Sequence, residues 1–220
     1  MLRVVEVNGY KIEPNANLEG ADLGDADLSN VNLSYANLND SELSNANLSN
    51  SNLEGANFIS ANCMDTNFEG ANLQGANLGC ANLEGAILTN SNLANASLYQ
   101  TKFVGAWLVA ANLNNSDLKE ADLEGAYLSN VDFIDADLTG VRLRHADLTG
   151  ANLANADLTG ANLTRAILKN ANFANAVLTG ANLEDADLTG ANLVDAKIDG
   201  AYLINAIFAG TTMPDGTVHD

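Results

Sequence analysis

The chain has 220 residues, a net charge of −19 and two cysteines, and from Ile12 to Thr101 it contains no lysine or arginine. That balance argues against direct nucleic-acid binding and against an anionic membrane surface, because both need basic side chains. No apolar run reaches the roughly 18 residues of a membrane-spanning helix, and two cysteines make no disulfide framework.

Residues 1–15 open the chain with two β-prone arms, VVEV and YKIE, on either side of Asn8-Gly9. Asparagine–glycine is the strongest short hairpin signal. The segment is expected to cap the rest of the chain, either as a hairpin or as a single extended stretch, with Pro14 marking the entry. It lacks the apolar core of a secretion signal, so a cytoplasmic protein is expected.

Residues 16–210 repeat one five-residue unit, Ala-(Asn/Asp)-Leu-x-x, in 39 units without a slip. The leucine position is the centre of the unit. It is Leu in 31 units; the others hold Phe58, Cys63, Phe68, Phe103, Phe133, Phe173, Ile198 and Phe208. Residues 211–220 leave the register as a tail or second cap. The tail has a Pro214-Asp215-Gly216 turn signal, and Met213 stands where the next centre would fall.

Period five fits neither regular element. On a helix, successive centres would drift by about 140° and wrap the surface. On a straight strand, residues five apart face opposite sides. The pattern works if the chain turns a corner in every unit, so that each centre and the alanine two residues before it point to one interior. The corner residues suit this: the second residue after the centre is Gly, Asn or Asp in 31 of the 39 units, and these tolerate positive φ. The Asn or Asp before the centre should face outward, where stacked asparagines can bond from coil to coil. The chain therefore reads as an all-β solenoid with a leucine-filled interior.

The unit resembles the consensus A(D/N)LXX of the pentapeptide repeat proteins, and the match covers Ala16 to Gly210. The resemblance implies a right-handed quadrilateral β-helix with four units per coil. That gives about ten coils and a rod roughly 45–50 Å long. The ending resembles that of cyanobacterial members. It is too short for the helical C-terminal dimerisation module of the gyrase-inhibiting members.

With four units per coil, residues twenty apart stack on one face. Among the outward positions before each centre, Ile87, Trp107, Tyr127, Ile167 and Ile207 fall in one column, with Val109 beside Trp107. Ile87, Trp107, Val109 and Tyr127 form a candidate protein-binding ridge, since exposed aromatics serve as interface anchors; packing between rungs of a sheet explains the same residues. A second column, Asp117, Asp137 and Asp157, is a candidate acidic strip that imitates a nucleic-acid backbone, or a solubilising surface. Arg142, Arg144, His145 and Arg165 form a basic cluster that Asp122, Glu124, Glu184 and Asp185 could neutralise.

The sequence holds no phosphate loop, dinucleotide fingerprint, HExxH or CxxC. An enzyme, a cofactor and a metal site are not expected. Thr139, Thr159 and Thr179 in one column, and Thr149 and Thr189 in another, leave a flat ice-like binder as the last alternative. A non-enzymatic protein-binding rod, monomeric or paired end to end, is the leading expectation, and an acidic DNA mimic that blocks gyrase is the alternative.

Overall fold

The computed structural model describes residues 5–219; of the segments expected as an N-terminal cap and a C-terminal tail, residues 1–4 and 220 lie outside the described residues. Corners set the architecture. Every fifth residue from Asn15 to Gly210 has positive φ, between 54° and 70°. Positive φ at the third of four turn residues is the mark of a type II turn. The turn closes when the next unit's first N–H donates to the centre's carbonyl, as Ala21 does to Leu18 at 3.0 Å.

Between corners the chain makes parallel β-bridges to the coil above and below. They join residues twenty apart, from Asn17↔Asn37 to Asn192↔Thr212, so four units complete one coil of a right-handed quadrilateral β-helix. Each unit contributes a repeating set of bonds: Leu18 N–H to Asn37 O (2.7 Å), Gly20 N–H to Asn39 O (2.8 Å) and Asn37 N–H to Ala16 O (2.9 Å). The backbone is thereby satisfied along the rod without long strands.

All centres from Leu18 to Leu193 are at most 2% exposed. Where Ser or Thr replaces the inward alanine, the hydroxyl finds a carbonyl. Ser41, Ser91 and Ser116 donate to their own turn. Ser51, Thr66, Thr101 and Thr211 donate to the preceding coil. No buried side-chain N or O among the described residues is without a partner, as the cost of burying an unpaired hydroxyl requires. Cys63 is a buried free thiol, Cys80 an exposed one at a corner, and burial pushes the Cys63 thiol far up.

The two ends differ. Strands β1 (Val5–Val7) and β2 (Tyr10–Ile12) form an antiparallel hairpin around Asn8-Gly9, both at positive φ, and Ile12 covers a first coil whose centres Leu18, Leu23, Leu28 and Leu33 are fully buried. At the other end β3 (Thr211–Thr212) and β4 (Val218–His219) form a second hairpin. It reaches Phe208, whose ring lies 5.6 Å from that of His219. It leaves the last centres Ile198, Leu203, Phe208 and Met213 only half-buried. The N–H groups of Ile198, Gly200, Leu203 and Asn205 find no acceptor among the described residues.

Candidate protein-binding surface

Four faces follow from the twenty-residue coil, numbered by their first centres, Leu18, Leu23, Leu28 and Leu33. The fourth face carries an asparagine ladder. Each amide donates to the one a coil earlier: Asn72 to Asn52, Asn92 to Asn72 and Asn112 to Asn92 at 3.1–3.2 Å, then Asn152 to Asp132, Asn172 to Asn152 and Asn192 to Asn172 at 2.9–3.2 Å. The same Oδ1 atoms accept the N–H two residues on, as Asn112 does from Asn114. This face is flat and polar, and its ladder runs in two stretches, Asn52 to Asn112 and Asp132 to Asn192.

The third face departs from that plan. Its outward column begins Asp27, Asn47 and Asn67, then turns apolar at Ile87, Trp107 and Tyr127, which are bridged coil to coil. The three are 39%, 48% and 43% exposed. The Trp107 and Tyr127 rings stack with centroids 4.3 Å apart and planes at 25°. Val109 is half-buried beside them, and Val104 is exposed on the other flank. Lateral packing is therefore present, and it leaves about half of each aromatic in solvent. Ile167 and Ile207 continue the column, interrupted by Asp147 and Asp187. Below the ridge Asp147 accepts Ser129 Oγ and Thr149, and Lys169 Nζ lies 3.1 Å from Asp187.

On the first face Asp117, Asp137 and Asp157 do stack, with Lys119 laid across them. Its Nζ is 2.8 Å from Asp137 and 3.8 Å from Asp117. Burial pushes the Asp137 carboxyl up, and the Lys119 ammonium together with the Thr139 hydroxyl and N–H outweigh it, leaving the group below the usual carboxylate range. Arg142 pairs with Asp122, and Arg165 Nε lies 3.3 Å from Asp185. Both arginines are solvent-exposed, so these pairs contribute little to stability. The threonine hydroxyls of Thr139, Thr149, Thr159 and Thr189 each donate to the aspartate two residues earlier, so they bracket their own turns.

Among the described residues, no group of three or more His, Cys, Asp or Glu side chains is placed to hold a metal ion, and no helix is long and apolar enough to cross a membrane. Sequence reasoning missed the surroundings of the ridge. Glu84, Val104 and Glu124 form one neighbouring column, and the corner glycines Gly85, Gly105 and Gly125 form the next. Their twenty-residue spacing was the available signal.

Comparison with known proteins agrees with this geometry. The family model described as pentapeptide repeats matches eight times, at residues 15–50, 36–75, 66–105, 76–115, 108–144, 116–155, 156–193 and 166–203. No curated protein matches the chain. Among solved structures, the chain is similar to HetL, a pentapeptide repeat protein involved in heterocyst differentiation regulation from the cyanobacterium Nostoc sp. strain PCC 7120, at 34% identity over 94% of this chain and 92% of that one, with a TM-score of 0.54. It shares its fold with a trypsin-treated variant of QnrB1, a plasmid-mediated fluoroquinolone resistance protein, at 16% identity over 73% of this chain and 88% of that one, with a TM-score of 0.61. An unbroken five-residue register, four-unit coils and family matches that together span residues 15–203 lead to one conclusion: the chain belongs to the pentapeptide repeat family.

Proposed function

We propose that this protein is a non-enzymatic interaction rod that binds a partner protein through the ridge of Ile87, Trp107, Val109 and Tyr127. The observation that carries the reading is the exposed Trp107–Tyr127 stack. A rigid aromatic pair held by a β-helix loses little conformational freedom on binding, which is why such residues dominate interface energetics. The likeness to HetL, whose description names regulation of heterocyst differentiation in a cyanobacterium, supports a regulatory role in a cyanobacterium; a cytoplasmic location is part of the same proposal. The test is affinity capture from lysate with wild type and with a folded Ile87→Asn, Trp107→Asn, Tyr127→Asn variant. A protein captured by the first and lost by the second supports the reading; one retained equally by both sinks it.

A second reading is an acidic mimic of DNA that inhibits a topoisomerase such as gyrase. Its support is the rod shape and the net charge of −19, and Lys119 weakens it by offsetting charge on the Asp117–Asp137–Asp157 strip. A supercoiling assay that shows no inhibition at excess protein removes it. For oligomeric state, the half-covered last coil supports pairing end to end over a monomer, because open edges and apolar rungs invite pairing. Sedimentation that gives a monomer at high protein concentration rejects the pairing.

A further inference from the structure

We propose that the ridge takes an arginine-bearing segment of its partner, with guanidinium groups set between the Trp107–Tyr127 stack and Glu84 and Glu124. This deepens the reading of the ridge as the contact surface and rests on it. Three columns run side by side through three consecutive coils: Ile87, Trp107 and Tyr127; Gly85, Gly105 and Gly125; Glu84, Val104 and Glu124. The glycine column sits at a corner with φ of 64–68°. At Gly105 and Gly125 an added Cβ would meet nothing within 4 Å, so a ligand can approach the corner backbone. The carbonyls of these three glycines accept no hydrogen bond within the described chain. The strip beside the aromatics is thus built of acceptors: the carbonyls of Gly105 and Gly125 at open corners, the carboxylates of Glu84 and Glu124, and at Gly85 the Asp65 carboxylate that lies over the corner. Its complement is a donor that is also flat enough to lie on an aromatic ring. Guanidinium meets both needs, with five N–H donors in a plane and a favourable stack on aromatic faces. An ammonium meets only the first. Toward the C-terminus the same columns carry Arg144, directly after Glu124, and Arg165, which is paired with Asp185. The segment's arginines therefore lie over residues 84–127, on the side of Glu124 away from Arg144.

The probe is a fluorescein-labelled heptapeptide alternating leucine and arginine, with an equally charged leucine–lysine counterpart, read by anisotropy near physiological salt. The arginine peptide is expected to bind about tenfold more tightly than the lysine peptide. Glu84→Gln with Glu124→Gln should weaken it about tenfold, and Trp107→Asn with Tyr127→Asn should erase the preference for arginine. A charge-matched control at the far end of the rod, Glu19→Gln with Asp40→Asn, should leave both unchanged. Equal binding of the two peptides, or equal losses in the control and the Glu84/Glu124 variant, overturns the proposal and leaves only general attraction to an acidic rod. Lysate capture that still depends on Ile87, Trp107 and Tyr127 in that case means the ridge stands and the arginine assignment alone has failed. Capture independent of the ridge removes the reading beneath it.

Discussion

Phe58 and Phe68 meet edge to face across the interior, with ring centroids 6.1 Å apart and planes at 82°. They come from opposite faces of one coil, and the centre between them is Cys63, fully buried. Two residues larger than leucine are offset by one that is smaller. Replacing Cys63 with the family's preferred leucine therefore overpacks this coil, at a cost of about 1–3 kcal/mol. Denaturant unfolding of Cys63→Leu should show the loss; equal or greater stability would mean that the coil has room to spare.

Tyr35 lies over Gly55, one coil later. A Cβ on Gly55 would stand 2.5 Å from two carbons of the Tyr35 ring, whereas one on Gly75, next in the same column, would meet nothing within 4 Å. Both glycines have positive φ, so alanine at either should cost about 1 kcal/mol through the backbone. Gly55→Ala should cost measurably more, because the Tyr35 ring must swing away from its 2.9 Å bond to Glu54. Equal melting points for the two variants would contradict that packing.

The asparagine ladder of the fourth face breaks between Asn112 and Asp132, because a carboxylate has no proton to donate to Asn112 Oδ1. Asp132 still accepts from Asn152 at 3.2 Å, and asparagine would keep that bond. Asp132→Asn should join the two halves and raise stability by about 0.5–1.5 kcal/mol, the net worth of one hydrogen bond. Thermal unfolding decides it, and a lowered midpoint would count against the ladder as a stabilising element.

Acid should act through the bracketed aspartates. Burial pushes the Asp147 carboxyl up, and bonds from the Thr149 hydroxyl and N–H and from Ser129 outweigh it, holding the group below its ordinary value. A carboxyl lowered on folding adds stability that is complete above its unfolded value, about pH 4, and is lost as pH falls through the folded one. Asp147→Asn keeps the two Thr149 bonds at Oδ1 without titrating, as Asn162 does from Thr164, and loses only the oxygen that accepts from Ser129. Wild type should lose stability relative to this variant as pH drops below about 4. A pH-independent difference would show that the Thr149 bracket does not favour the charged form.

Much of the fold was legible because period five leaves few solutions. The centres needed one interior, and the corners needed residues that accept positive φ. Even Tyr35, Ser60, Cys80, Gln100, Ala110, Glu120, His145 and Arg165 adopt it, although the handedness of L-residues disfavours it, because the register on either side leaves no other path. The apolar column was legible from twenty-residue spacing, as were the pairings of Arg142 with Asp122 and Arg165 with Asp185. Long side chains were not. Lys119 reaches along its face to Asp137, and Trp107 chooses to stack on Tyr127, through rotamers that the repeat does not specify. The hydroxyls of Ser51, Thr66 and Thr101 were legible only as exceptions to alanine; the carbonyls they find belong to the coil before.

Trp107 is the protein's single tryptophan, so its emission reports on the ridge once the partner's own emission is subtracted. Acrylamide quenching of Trp107, with and without a saturating amount of the captured partner, tests the central claim most directly. Binding at the ridge predicts a blue shift and a several-fold fall in the quenching constant, since burying the half-exposed indole shields it from water and quencher. An unchanged spectrum and unchanged quenching in the saturated complex would place the partner elsewhere on the rod.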